Sequence, residues 1–266
     1  MDPLSLVRPL ALDPRRAEVA ALFASTLAIG NTTAIRSSFT QLVQRFSGDP
    51  FLAVQGSRQE RQARLRGFRH RWIRDDQLLA LSDVLSDLYA SGETLERVFV
   101  KGMASGGEFA DGLDALARCL RGADGRPIPR GYAQLFPSPR DRSKSACKRL
   151  TLCARWLVRR QYPDLGAWSK VSPAALHIPL DQHVYWISYH LGLTGRRTRN
   201  WATVEEVTAS LREVDPADPI KFDFVLCHTG ISGDCPKRRD LGICGPCVVR
   251  PDCLLWHGRR PAVGAT

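Results

Sequence analysis

The sequence predicts an all-α protein on three observations. Apolar residues recur at helical spacing in segment after segment, capping and stop residues bracket those segments, and the alternating pattern of strands is nearly absent. In LDPRRAEVAALFASTLAIGN, Asp13 stands where an N-cap belongs and Pro14 at the first helical position. Val19, Leu22, Phe23 and Leu27 form an apolar face, and Gly30 is a stop. Further helices are expected from about Thr33 to Phe46, Asp75 to Tyr89 and Gly107 to Leu120. Residues 122–142 are rich in Gly, Pro and Arg without helical periodicity and read as an ordered loop or linker. SKSACKRLTLCARWLVRR, from about Ser143 to Arg160, then reads as a helix burying Leu150, Cys153, Ala154, Leu157 and Val158. LDQHVYWISYHLGLTG gives a helix opening at Asp181 and closing at Gly192. Thr203 and Glu206 have the spacing of a capping box for a helix that ends near Asp215, and a last helix is expected from about Pro219 to His228.

The 266-residue chain, with 44% hydrophobic residues, is long enough to bury one large core or two modest ones. No apolar run has the length of a membrane span, and the start lacks the apolar stretch of a secretory signal, so the expected compartment is the cytoplasm. Lys and Arg number 38 against 27 Asp and Glu, a net charge of +11. Most of the excess is arginine, which grips phosphate with paired donors, and this points to a nucleic-acid partner.

Eight cysteines without a secretory signal, four of them crowded near the C-terminus, point to metal ligation rather than disulfides. The cluster reads Cys235, eight residues, Cys244, two residues, Cys247, five residues, Cys253. Four thiolates suit zinc or a [4Fe–4S] cluster, and ligand type alone leaves both open. Cys119, Cys147, Cys153 and Cys227 lie in helical patterns and read as small apolar residues.

The cysteine spacing resembles the C-terminal iron–sulfur loop of endonuclease III and the adenine glycosylases, with a longer first gap. IPLDQHVYWISYHLGLTG resembles the segment of helix-hairpin-helix DNA glycosylases in which an aspartate opens a helix. The stretch from about Lys148 to Ile231, especially KRLTLCARWLVRR, DLGAWSKVSPAALHIPLDQHV and VDPADPIKFDFVL, resembles an uncharacterised bacterial family distantly related to the archaeal 8-oxoguanine glycosylase. The glycine-rich hairpin usual in the superfamily is replaced by PSPRDRSKSA, and 33 residues separate Lys148 from Asp181. The archaeal enzymes share both departures.

The resemblance implies two helical subdomains of the helix-hairpin-helix glycosylase type with a DNA-binding cleft between them, plus a C-terminal four-cysteine metal loop. On that pattern residues 18–160 form one subdomain, 1–17 with 161–233 the second, and 234–266 the loop and tail. It implies a DNA glycosylase that removes a damaged base, first of all 8-oxoguanine, from double-stranded DNA, with AP lyase activity, acting as a monomer at the nucleoid. Lys148 becomes the nucleophile and Asp181 the catalytic carboxylate. Asn31, Trp72 and Asp223 become contacts to the extruded base. Cys235, Cys244, Cys247 and Cys253 become ligands of a [4Fe–4S] cluster, with structural zinc as the alternative. Lys144, Arg149 and Arg155 beside the reacting lysine, and Lys237, Arg238, Arg239 and Arg250 around the cysteines, become DNA-contacting cations.

Taken alone, the same residues have ordinary roles. An aspartate at a helix start caps it, a helix lysine is a solvated charge, and an aromatic such as Trp72 packs. A non-catalytic DNA- or RNA-binding protein on the same fold, and a glycosylase for an oxidised pyrimidine, an alkylated base or a mispair, also fit the composition.

Overall fold

A computed structural model of the chain describes residues 3–122, 126–141 and 145–258. The protein is all-α, as expected; the strand content among the described residues is one hairpin of two-residue strands. The chain divides into two compact units, Met1–Ser143 with Leu152–Ser172, and Lys144–Thr151 with Pro173–Thr266.

The first unit carries α1 (Leu4–Val7), α2 (Pro14–Thr26), α3 (Thr32–Arg45), α4 (Pro50–Gln55) and α5 (Arg58–Leu65). A hairpin of β1 (Arg69–His70) and β2 (Ile73–Arg74), paired antiparallel, leads into α6 (Asp75–Ala90), α7 (Leu95–Gly106) and α8 (Phe109–Arg121). Asp13 caps α2 as the sequence predicts, its side chain accepting from the Arg16 amide at 3.0 Å. Val19, Leu22, Phe23 and Leu27 are all buried.

α7, not among the expected helices, forms through the glycines of KGMASGG with α8 lying close against it. A Cβ on Gly102 would come within 2.6 Å of the Asp111 carbonyl oxygen and 2.5 Å of the Ala115 Cβ. Helix propensity, worth about 1 kcal/mol at a glycine, yields here to backbone approach. The described part of 122–142 is an ordered loop: Tyr132 donates to the Leu120 carbonyl at 2.7 Å, and Arg121 to the Phe136 carbonyl at 2.6 Å.

Buried Glu18 on α2 ties the first unit together. Its Oε2 accepts from Tyr89 Oη at 2.7 Å and the Leu95 amide at 3.1 Å. Its Oε1 accepts from the Glu96 amide and Trp168 Nε1, both at 2.8 Å. One carboxylate thus holds α6, satisfies the first turn of α7 and fixes the segment around Trp168.

This network corrects the predicted division. Residues 1–17 and 161–172 belong to the first unit, because Leu4 and Val7 are buried as α1 packs on α2 and α3, and because Trp168 reaches Glu18. The boundary with the second unit falls inside α9 (Lys148–Val158).

The second unit takes the first turn of α9 and α10 (Gln182–His190), α11 (Trp201–Val214), α12 (Asp223–Ser232) and α13 (Leu241–Cys244). The cysteine segment belongs to this unit rather than standing apart: the Leu254 amide donates to the His190 carbonyl at 2.8 Å and the Cys235 amide to the Thr229 carbonyl at 3.2 Å. Three predicted helix starts shift, α9 beginning at Lys148 rather than near Ser143. Asn200, not Thr203, caps α11, while Glu206 accepts from the Gly195 amide at 2.9 Å. The last expected helix begins at Asp223 and runs to Ser232. No helix among the described residues is long and apolar enough to cross a membrane.

Burial raises the Glu18 carboxyl above its ordinary value, against the hydrogen bonds that lower it. Stability from a raised carboxyl is present below the unfolded value and lost as pH rises through the folded one. Glu18→Gln presents a single acceptor oxygen to four donors and should cost about 1–3 kcal/mol. In urea melts the wild-type advantage should shrink as pH is raised from the ordinary carboxylate range, and a pH-independent difference would contradict this.

Candidate active site and cysteine centre

Asp181 precedes α10 with extended backbone, so its side chain folds back over the helix start. Oδ1 accepts from the His183 amide at 2.8 Å and the Val184 amide at 2.9 Å. The other oxygen, Oδ2, faces Lys148 Nζ at 3.6 Å and accepts from Cys227 Sγ at 3.5 Å. The lysine and the aspartate singled out in the sequence therefore meet within one unit, 33 residues apart in the chain. The lysine side chain is one-third exposed and the carboxylate 15%, so the pair is open to solvent on one side.

Lys148 is the first residue of α9, and Cys147 before it has a left-handed backbone with φ 53°. A residue with a Cβ pays of order 1 kcal/mol for that conformation. The Cys147 amide donates to Ser145 Oγ at 3.0 Å, while its carbonyl accepts from the Leu150 and Thr151 amides at 3.1 Å. A strained turn built on Ser145 and Cys147 thus delivers the lysine at the start of α9.

Asp223, at the start of α12, is buried, and Cys227 lies one turn on. Burial drives the Cys227 thiol well up, the carboxylates of Asp181 and Asp223 add to this, and Lys148 opposes it. The thiol stays protonated and is a donor to Asp181. Cys227, read from sequence as packing, belongs to this cluster; the signal available was its position one helical turn after Asp223. Arg149, beside the lysine, is half-buried, and this desolvation pushes its guanidinium down to about 10.

The remaining candidates fall elsewhere. Asn31 and Trp72 lie in the first unit. Asn31 caps α3, accepting from the Ala34 amide at 2.8 Å, and Trp72 is 40% exposed in the hairpin. The hairpin is pinned by buried His70, whose ring nitrogens meet the Ile29 carbonyl at 3.0 Å and Ser38 Oγ at 2.8 Å. Arg155 is corrected: it is 3% exposed and pairs with fully buried Asp164 at 3.4 Å, an ion pair that Arg159 shares at 2.5 Å. A guanidinium so enclosed serves the fold and does not reach phosphate. Lys144 lies outside the described residues.

Cys235, Cys244, Cys247 and Cys253 line one cavity of about 80 Å³, with His190 on its wall. Burial pushes the Cys235 thiol up to about 11, and the three other cysteines contribute to the shift. Four thiols acting on one another around one space suit a cation that takes thiolate ligands. Among the described residues no three His, Cys, Asp or Glu side chains are already gathered as ligands of a single ion. Lys237, Arg238, Arg239 and Arg250 are exposed around this centre. Arg239 and Arg250 also lie over the Trp256 ring, 5.8 and 5.4 Å from its centroid.

Residues 2–232 match the family described as a protein of unknown function, DUF2400. No curated protein and no solved structure matches the chain.

The packing of α12 on α10 sets the position of Asp181. A Cβ on Gly230 would fall 2.6 Å from His183 Cβ and 2.8 Å from its Nδ1. Gly230→Ala should therefore push the two helices apart and destabilise the protein by about 1–3 kcal/mol, read as a lowered urea midpoint. An unchanged midpoint would refute the tight approach.

Proposed function

We propose that this chain, which belongs to the DUF2400 family, is a DNA glycosylase with AP lyase activity that removes a damaged base from double-stranded DNA. The observation that carries the reading is the approach of Lys148 Nζ to Asp181 Oδ2 at 3.6 Å, with that carboxylate fixed by helix amides. An ordinary cap needs no amine at its second oxygen, and a protein that only binds DNA needs neither group.

The chemistry follows from the pair. Base release develops positive charge at C1′ of the sugar, which the Asp181 carboxylate stabilises. The Lys148 ammonium first gives up a proton to solvent, so that the carboxylate keeps its charge while the amine attacks. The Nζ lone pair forms the bond to C1′ while the C1′–N bond breaks, its electrons leaving with the base, which is then protonated. Opening of the C1′–O4′ bond, with a proton passing from Nζ to O4′, gives a Schiff base, and β-elimination removes a proton from C2′ to a base as the 3′ C–O bond breaks with loss of the phosphate. Oxidised guanine is the first-choice lesion on the resemblance to the archaeal enzymes.

The arginine excess supports binding of phosphates flanking the extruded nucleotide, a step that costs a few kcal/mol. Arg149 and the exposed cations Lys237, Arg238, Arg239 and Arg250 are the candidates for it, and a chain with this partner would work at the nucleoid. Cys235, Cys244, Cys247 and Cys253 would hold a [4Fe–4S] cluster or zinc, which when bound cross-links the C-terminal segment.

With a duplex carrying 8-oxoguanine and borohydride, wild type should form a covalent adduct that Lys148→Ala abolishes. Asp181→Asn should slow base release by about 100-fold or more, the scale of losing one charge-stabilising group. An equally strong adduct from Lys148→Ala would remove the lysine from this role. Release of no base from a panel of singly modified duplexes would defeat the glycosylase reading. For the metal, the purified chain should be brown with broad visible absorbance, and a colourless protein with stoichiometric zinc would decide for zinc.

A further inference from the structure

We infer that His190 is a positioning residue of the cysteine centre, donating a hydrogen bond from Nδ1 to the sulfur of Cys235 when that cysteine ligates metal. The inference rests on reading the four cysteines as a metal site, and it is independent of the glycosylase reading.

His190 is the last residue of α10 and is 5% exposed, so its ring is spent on the interior. Its Nδ1 lies 3.9 Å from Cys235 Sγ, within hydrogen-bonding reach of sulfur, and both residues line the cavity that the other three cysteines share. The direction of the bond follows from the chemistry of ligation. A thiolate bound to metal has no proton to donate and keeps lone pairs free, so the contact becomes N–H···S, with the imidazole in its Nδ1–H tautomer.

The backbone sets the same geometry from both ends of the segment. The Cys235 amide is held by the Thr229 carbonyl at 3.2 Å, and the residue after Cys253 is held by the His190 carbonyl at 2.8 Å. The first cysteine is thus anchored to the last turn of α12 and the last one to the closing turn of α10, where His190 supplies the side chain facing Cys235. A hydrogen bond to a ligand sulfur orients it and offsets its charge, and loss of such a partner typically costs 10- to 100-fold in metal retention.

Two substitutions separate this role from packing. His190→Phe keeps a flat ring and removes the donor, whereas His190→Asn places an amide nitrogen where Nδ1 stood. Full-length protein is incubated in air with excess EDTA, desalted at intervals and assayed for iron and zinc. His190→Phe should lose metal about tenfold or more faster than wild type, and His190→Asn should stay within about threefold of it. Equal lability of the two variants would mean that the imidazole ligates or only packs, and would overturn the hydrogen-bond role. Unchanged retention in His190→Phe would overturn it as well. Wild type isolated without metal would defeat the metal site itself and this inference with it.

Discussion

The carboxylate of Asp181 is fixed by the peptide groups of the helix it begins. The first amides of a helix have no partner within it, and Oδ1 answers two of them, at His183 and Val184. That leaves Oδ2 in a set direction, toward Lys148 and Cys227. A side chain held in this way has few rotamers left to lose. The cap and the contact with Lys148 depend on one geometry, so the backbone that builds α10 also orients Oδ2.

The surroundings of that carboxylate come from parts far apart in sequence. The strained turn at Cys147 begins α9 and delivers the lysine, while α12 brings Cys227 and is held close to α10 by Gly230. In the first unit two buried carboxylates sit among several partners each. Glu18 meets four donors, and Arg155 and Arg159 enclose Asp164. Each would be costly to bury alone, and Glu18 joins segments that the chain separates. The first unit thus spends its buried polar groups on architecture, whereas the polar cluster of the second remains partly open.

Local rules were legible wherever local physics decides. Asp13 and Asp181 were readable as caps, and the apolar stripe of α9 as buried, because capping and periodicity act within a few residues. α7 was not legible, because its glycines are explained by α8, whose closeness no local pattern reveals. Arg155 was misread for a related reason: periodicity assigns a face, but whether it meets water or a buried aspartate depends on tertiary packing. α5 carried a readable signal in its Ser57–Glu60 capping box, and its neighbour α4 is capped by Asp49. The pairing of Lys148 with Asp181 reached the sequence reading through resemblance alone, since 33 residues of chain hide a contact of 3.6 Å.

α10 is the element on which both candidate centres of the second unit depend. Asp181 precedes its first residue and His190 is its last, nine residues that span about 14 Å at the usual helical rise. So short a helix is marginal in isolation and takes its stability from the contacts around it. α12 supports it along one side through the approach of Gly230 to His183, and the cysteine segment holds its end through the His190 carbonyl. A cross-link among the four cysteines would therefore act on α10 by restricting its last turn rather than by touching substrate. The carboxylate at the opposite end would gain a stiffer base.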